Sequence, residues 1–83
     1  MYHLVIDRYA QKQLEKISPP HFNRIIKAVN ALKNNPRPSG YTKLTGRPGY
    51  RIRIGDYRVI YKIEDEIVTV FVIDIGHRRE IYD

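Results

Sequence analysis

The chain has 83 residues, 42% of them hydrophobic and 29% charged, which is enough for one modest core and too little for a second. It contains no cysteine, so a disulfide framework and thiolate chemistry are excluded, and no apolar run approaches the roughly 20 residues of a membrane span. Fifteen basic residues against nine acidic ones give a formal charge of +6, a field that attracts polyanions.

Residues 2 to 6, YHLVI, read as a short strand, with Asp7 placed to cap the helix that follows. In RYAQKQLEKI, Ala10, Leu14 and Ile17 recur at offsets 0, 4 and 7, which predicts an amphipathic helix. Ser18 followed by Pro19 predicts a restart, serine capping the first free amides and proline taking the first helical position. Phe22, Ile25, Ile26, Val29 and Leu32 form a second stripe, and that helix should end near Asn34 because Pro36 disfavours helical geometry at Asn35. NNPRPSG is a loop, YTKL a short edge strand, and GRPG a turn.

The stretch GYRIRIGDYRVIY, residues 49 to 61, reads as two strands around a Gly55-Asp56 turn. That turn pairs Ile54 with Tyr57 and therefore Arg53 with Arg58. One face then carries Tyr50, Ile52, Ile54, Tyr57, Val59 and Tyr61, and the other Arg51, Arg53, Arg58, Ile60 and Lys62. After the acidic turn EDE, IVTVFVIDI is nearly continuous in β-favouring apolar residues, as a central strand covered on both sides should be. The order predicts an α+β fold in which an N-terminal helical hairpin packs on one face of a small twisted antiparallel sheet. The expectation is a single domain over residues 1–83, in the reducing cytoplasm, since MYHLVIDRYA lacks the pattern of a signal peptide. The helical stripes need the Tyr/Ile/Val face, which should leave the arginine face open to a partner.

Four of the six lysines lie in the first 36 residues, whereas seven of the nine arginines follow them. Arginine's planar fork grips phosphate in fixed geometry, so the second half is where a site is sought. A lone arginine on such a face is usually a solvated surface residue. Opposing like charges, however, cost something within roughly 0.2 to 1 kcal/mol, and from Leu44 through Val59 the only acid is Asp56, in the turn. A face that retains this repulsion points to anion binding by Arg51, Arg53 and Arg58.

The C-terminal GHRREIYD adds the imidazole of His77, a side chain suited to proton transfer, the fixed charges of Arg78 and Arg79, and Tyr82. If the central strand runs beside the hairpin, its end can bring these groups to the same cleft. Asp74, Glu80, Asp83 and His77 have no recognised metal spacing, and the arginines around them repel a cation. No phosphate loop or dinucleotide fingerprint is present, so neither a cofactor nor a metal is expected.

Taken together, the helical hairpin, the stretch NPRPSGYTKLTGRPGYRIRIGDYRVIYKIEDE, the strand VTVFVIDIG and the ending GHRREIYD resemble the RelE/ParE superfamily of toxin-antitoxin toxins, specifically its RelE-like ribonuclease branch. The resemblance spans nearly the whole chain. It implies an mRNA interferase that enters the ribosomal A site of the 30S subunit, cuts messenger RNA there, and is held inactive by a cognate antitoxin. Carried over by position, it implies catalytic roles for Arg51, Arg53 and Arg58, and for Tyr82 as the C-terminal tyrosine. The last catalytic arginine is Arg78 counting from Gly76 or Arg79 counting back from Tyr82. His77 stays a candidate for proton transfer, and Lys43, Arg47 and Lys62 are candidate RNA contacts. Several relatives carry lysine where this chain has Arg51 and Arg53; the exchange keeps the charge but removes the more titratable group. The competing readings are a ParE-like gyrase poison, a non-catalytic RNA- or ribosome-binding module, and a degenerate toxin acting only as a co-repressor.

Overall fold

The computed structural model describes residues 1–77. A short strand β1 (His3–Ile6) is followed by the helices α1 (Arg8–Glu15) and α2 (His21–Ala31). Four strands come next: β2 (Thr42–Lys43), β3 (Tyr50–Ile54), β4 (Tyr57–Glu64) and β5 (Thr69–His77), with a 3-10 turn at Asp65–Ile67 before the last. They form one sheet in the order β1-β5-β4-β3-β2.

The expected α+β architecture is present, with one departure. The strands from β2 to β5 pair antiparallel, but β1 pairs with β5 in parallel, from His3 against Thr69 to Ile6 against Val72, so the sheet is mixed. After the two helices the chain enters the far edge as β2, running opposite to β1, and the three antiparallel pairings that follow bring β5 beside β1 in the same direction. Because β1 takes the edge, β5 becomes an inner strand, and Val70, Val72 and Ile75 are essentially inaccessible.

Both apolar stripes fall where their spacing places them. Ala10, Leu14, Ile25, Val29 and Leu32 pack on Ile52, Val59, Tyr61, Val70, Val72 and Ile75, with Ile17, Phe22 and Ile26 at the margin. The caps differ from expectation. Asp7 holds the N-cap position of α1 through its backbone carbonyl, which accepts from Gln11 N–H at 2.9 Å, and its side chain makes no capping bond. The second helix starts two residues later than Ser18-Pro19 suggested, with Pro20 at its N-cap, while the Ser18 carbonyl accepts from Phe22 N–H.

The α2 to β2 connection is fastened to the core by one buried hydrogen bond, in which Tyr61 Oη donates to the Pro36 carbonyl at 2.7 Å. Burial pushes the Tyr61 phenol up to about 12, so it stays a donor across the physiological range, and this contribution is lost only as the pH rises through that value. Tyr61→Phe leaves a buried carbonyl without its donor and should cost about 1–3 kcal/mol, read as a lower urea midpoint with an unchanged slope.

At the same end of the sheet, Asp65 accepts from Tyr2 Oη at 2.6 Å and from Arg37 Nη2 at 2.9 Å, joining the N-terminus, the loop and the 3-10 turn. The Arg37 hydrogen bond and then that of Tyr2 hold the Asp65 carboxyl below its ordinary value. A depressed carboxylate stabilises the fold above the unfolded-state value near 4 and loses that contribution as the pH falls through the folded-state value. Asp65→Asn should therefore unfold more easily than the parent at pH 7, with the gap closing on acidification, as measured by thermal melts over the acid range.

Candidate active site

The hairpin register matches the sequence expectation: Ile54 pairs with Tyr57, Arg53 with Arg58, Ile52 with Val59 and Arg51 with Ile60. Gly55 has a φ of 60°, the positive value a tight two-residue hairpin turn needs at its first position. With Ile54 and Tyr57 closing the turn, Arg53 and Arg58 form the next pair, whose Cα atoms in such a ladder stand only about 4.5 Å apart. Arg51 is two residues along the same strand, roughly 7 Å from Arg53. Arg51, Arg53 and Arg58 thus belong to one face of the hairpin.

Their surroundings differ. Arg53 is exposed, Arg51 is half-buried, and Arg58 is half-buried with its Nε enclosed away from solvent. Across the β4–β5 ladder Arg58 pairs with Gly76, which contributes no side chain of its own. Partial desolvation strengthens a cation's attraction to an anion relative to bulk water.

No helix covers this face, as expected, but it is not bare. Ile60 is fully buried on it together with Leu44, and Ile73 packs against them. The chain turns back after β2 through a loop closed by Leu44 N–H donating to the Gly49 carbonyl at 3.0 Å, and Leu44 is thereby laid over Ile60. Gly49 has a φ of 121°, and a Cβ there would lie 3.2 Å from both Leu44 Cδ1 and the Tyr61 carbonyl, so the loop closes this tightly only with glycine. The arginine row therefore stands beside a small apolar floor. An isoleucine among arginines and lysines was the one sequence signal for it.

The predicted RNA contacts disperse. Arg47 is exposed on the β2–β3 loop. Lys62 lies on the arginine face, while Lys43 pairs with Tyr50 and so belongs to the opposite one; the two border a groove of about 300 Å³ at the far end of the sheet.

β5 carries an irregularity where the register with β4 shifts between Ile60 and Tyr61, making Ile73 the extra residue. The shift exchanges the faces of the residues that follow. His77 consequently pairs with Tyr57, its ring 5.7 Å from the tyrosine ring in an edge-on arrangement, on the helix side of the sheet. The structure does not bring the His77 ring to the arginine face, where unbroken alternation from the hairpin cannot reveal the change. Arg78, Arg79 and Tyr82 lie outside the described residues.

Gln13 is a residue that sequence reasoning did not single out. Beyond the end of β1, its Nε2 donates to Asp74 Oδ1 at 2.7 Å and its Oε1 accepts from Ile75 N–H at 2.6 Å. One side-chain amide thus replaces the missing strand neighbour and fixes the last turn of β5 just before Gly76 and His77. Nothing in the spacing of α1 distinguishes Gln13 from any other polar helix residue. Among the described residues, no cluster of His, Asp and Glu could hold a metal ion, and no helix is long and apolar enough to cross a membrane.

The family described as "ParE toxin of type II toxin-antitoxin system, parDE" matches residues 4–82. The chain is 34% identical over 86 aligned residues to the mRNA interferase toxin RelE of Escherichia coli strain K12, covering 98% of this chain and 90% of that protein. It is 31% identical to toxin RelG of Mycobacterium tuberculosis, over 88% of this chain and 86% of the relative. Among solved structures, it superposes on the intact E. coli RelBE toxin-antitoxin complex with a TM-score of 0.81 and 32% identity, over 93% of this chain and 96% of the other. It superposes equally well on the archaeal RelE-RelB complex from Pyrococcus horikoshii OT3, with a TM-score of 0.83 and 27% identity over 96% and 98% of the two chains.

Proposed function

Because the chain belongs to the ParE/RelE family of type II toxin-antitoxin toxins, we propose that its whole length acts as one domain and cleaves messenger RNA in the ribosomal A site. The observation that carries this reading is the row of Arg51, Arg53 and Arg58, with the half-buried Arg58 facing Gly76. The RNA's own 2′-hydroxyl attacks the adjacent phosphorus in line. The bond from phosphorus to the 5′-oxygen breaks, leaving a 2′,3′-cyclic phosphate and a 5′-hydroxyl. The arginines stabilise charge that accumulates on the equatorial oxygens, the electrostatic contribution that usually dominates such catalysis.

Tyr82 is assigned the proton of the attacking hydroxyl, and Arg78 or Arg79 the leaving oxygen. The position of His77, paired with Tyr57 on the other face, supports giving the proton to Tyr82 instead. Phosphorane charge is compensated by guanidinium groups, so the reaction needs no metal. The partner in the cell is an antitoxin, a reading supported by the superposition on toxin-antitoxin complexes. It is expected to act in the cytoplasm, where ribosomes and messenger are found.

The test is a reconstituted translation reaction on a defined messenger, with the cut ends mapped and a parallel reaction lacking ribosomes. A-site cuts ending in cyclic phosphate, absent without ribosomes, are the expected result. Folded protein that cuts in neither reaction overturns the reading. A second reading, poisoning of DNA gyrase, has a specific observation behind it, since the matching family is described by the ParE toxin. Supercoiling by purified gyrase in the presence of the protein separates the two.

A further inference from the structure

On the helix side of the sheet, α1 and the ends of β4 and β5 enclose a cleft of about 500 Å³. It belongs neither to the arginine face nor to the core. Four of its lining residues, Tyr9, Lys12, Gln13 and Lys16, follow one another at offsets 0, 3, 4 and 7 and so share one stripe along the helix, beside the apolar stripe of Ala10, Leu14 and Ile17. Opposite them stand Tyr57 and His77. The Tyr57 ring is itself flanked by His21, 5.3 Å away, as well as by His77.

Three properties of this cleft bear on what it holds. Among the described residues no acid lines it, the nearby Asp74 carboxylate being taken up by the Gln13 amide, while Lys12 and Lys16 lie one helical turn apart, their Cβ atoms roughly 5–6 Å from each other, so two cations border the cleft. Its walls carry aromatic rings from both sides, and Tyr9 is 63% exposed, far more than packing requires of a tyrosine. The cleft also lies close to the arginine row: Tyr57 and Arg58 are consecutive, and so are Gly76 and His77, so the two sites occupy opposite faces of the same sheet end. Cationic side chains interleaved with ring faces are the means by which proteins hold single-stranded nucleic acid without reading its sequence.

We propose that this cleft is a second RNA-binding site, in which a base flanking the scissile phosphate stacks against Tyr9 and Tyr57 while its phosphate lies between Lys12 and Lys16. The inference rests on the ribonuclease reading for the identity of the strand. The RNA turns around the end of the sheet, one phosphate held by the arginines and a neighbouring nucleotide held behind them. Tyr57, whose backbone neighbours Arg58, links the grip on the flanking base to the position of the arginine that faces the phosphate.

The experiment measures binding of a fluorescein-labelled single-stranded RNA 12-mer, 2′-O-methylated throughout so that it cannot be cut, to the full chain by anisotropy at several salt concentrations. Lys12→Gln with Lys16→Gln should weaken binding about tenfold and flatten the dependence of log affinity on log salt, by about 0.7 for each phosphate that is no longer neutralised. Tyr9→Ala should weaken it about fivefold or more with the salt dependence unchanged, because stacking carries no charge. Lys27→Gln with Lys33→Gln, the same charge change in and just after α2, is the control and should move affinity less than twofold.

Wild-type affinity and slope in the Lys12/Lys16 variant overturn the inference, as does an equal weakening in the Lys27/Lys33 control, which reports only overall charge. If Arg53→Ala and Arg58→Ala abolish binding while the cleft variants leave it intact, the inference fails and the ribonuclease reading stands. Failure of the parent protein to bind this RNA also overturns the inference, and the translation reaction then decides the ribonuclease reading by itself.

Discussion

Arg58→Ala should lower the rate of messenger cleavage by about 10²- to 10³-fold, the loss seen when one preorganised group facing a developing oxyanion is removed. The size of the effect follows from where this arginine stands. Arg53 is exposed and shares its charge with water, whereas Arg58 is half-buried with its Nε enclosed and pairs with the buried Gly76. The same guanidinium therefore acts through a lower effective dielectric at Arg58 than at Arg53. Arg53→Ala should accordingly cost less than Arg58→Ala, by about tenfold or more. Arg58→Lys should recover only part of the rate, since an ammonium replaces the charge but not the two-pronged geometry.

Single-turnover cleavage on programmed ribosomes is the proper measurement, because it separates the chemical step from binding. The melting temperature serves as the control for folding. Removing Arg58 also removes its repulsion with the directly opposed Arg53, so a loss of rate is read only from a variant that melts as a folded protein. A variant that keeps its rate would show that the arginine row is a surface feature and not the seat of the reaction.

Ile60→Ala is expected to be the most damaging change on the functional face, destabilising the fold by about 2–4 kcal/mol and lowering the melting temperature by roughly 10–25 °C. Ile60 is completely buried in a small apolar cluster with Leu44, and Ile73 packs against them. It is also the residue paired with Arg51. Truncating it removes the apolar seat on which Leu44 closes the loop carrying Arg47, so stability and the arrangement of the basic face should decline together. Ile60→Val, which removes one methylene, should cost about 0.5–1.5 kcal/mol and leave cleavage near normal. Thermal and urea unfolding of the two variants, compared with their cleavage rates, tests whether the small cluster supports the site or merely fills space.

Local rules were sufficient for much of this molecule. The stripes of α1 and α2 were legible because their apolar residues have nowhere to go but the sheet, and the spacing 0, 3, 4, 7 identifies a helical face without reference to anything else. The hairpin register was legible for the same reason, since a two-residue turn at Gly55-Asp56 allows one alignment and alternation then assigns every side chain to a face. The arginine row follows from these two facts alone.

Other features depend on elements distant in sequence. The parallel pairing of β1 with β5 joins residues more than sixty positions apart, and neither strand's composition names its neighbour. The irregularity at Ile73 arises from the fit of β5 against β4, and it reverses the face on which His77 stands. Gln13 serves β5 because β1 stops short there and leaves the Ile75 N–H to be satisfied, a need that arises only once the sheet is assembled. The sequence by itself determined the helices, the hairpin and the arginines, because each is governed by steric and hydrophobic rules acting over a few residues. Only the tertiary structure decided which side of the sheet the histidine joins, what covers Ile60, and that α1's lysines face Tyr57 across a cleft, because those arrangements are set by packing and hydrogen bonding between segments that meet only on folding.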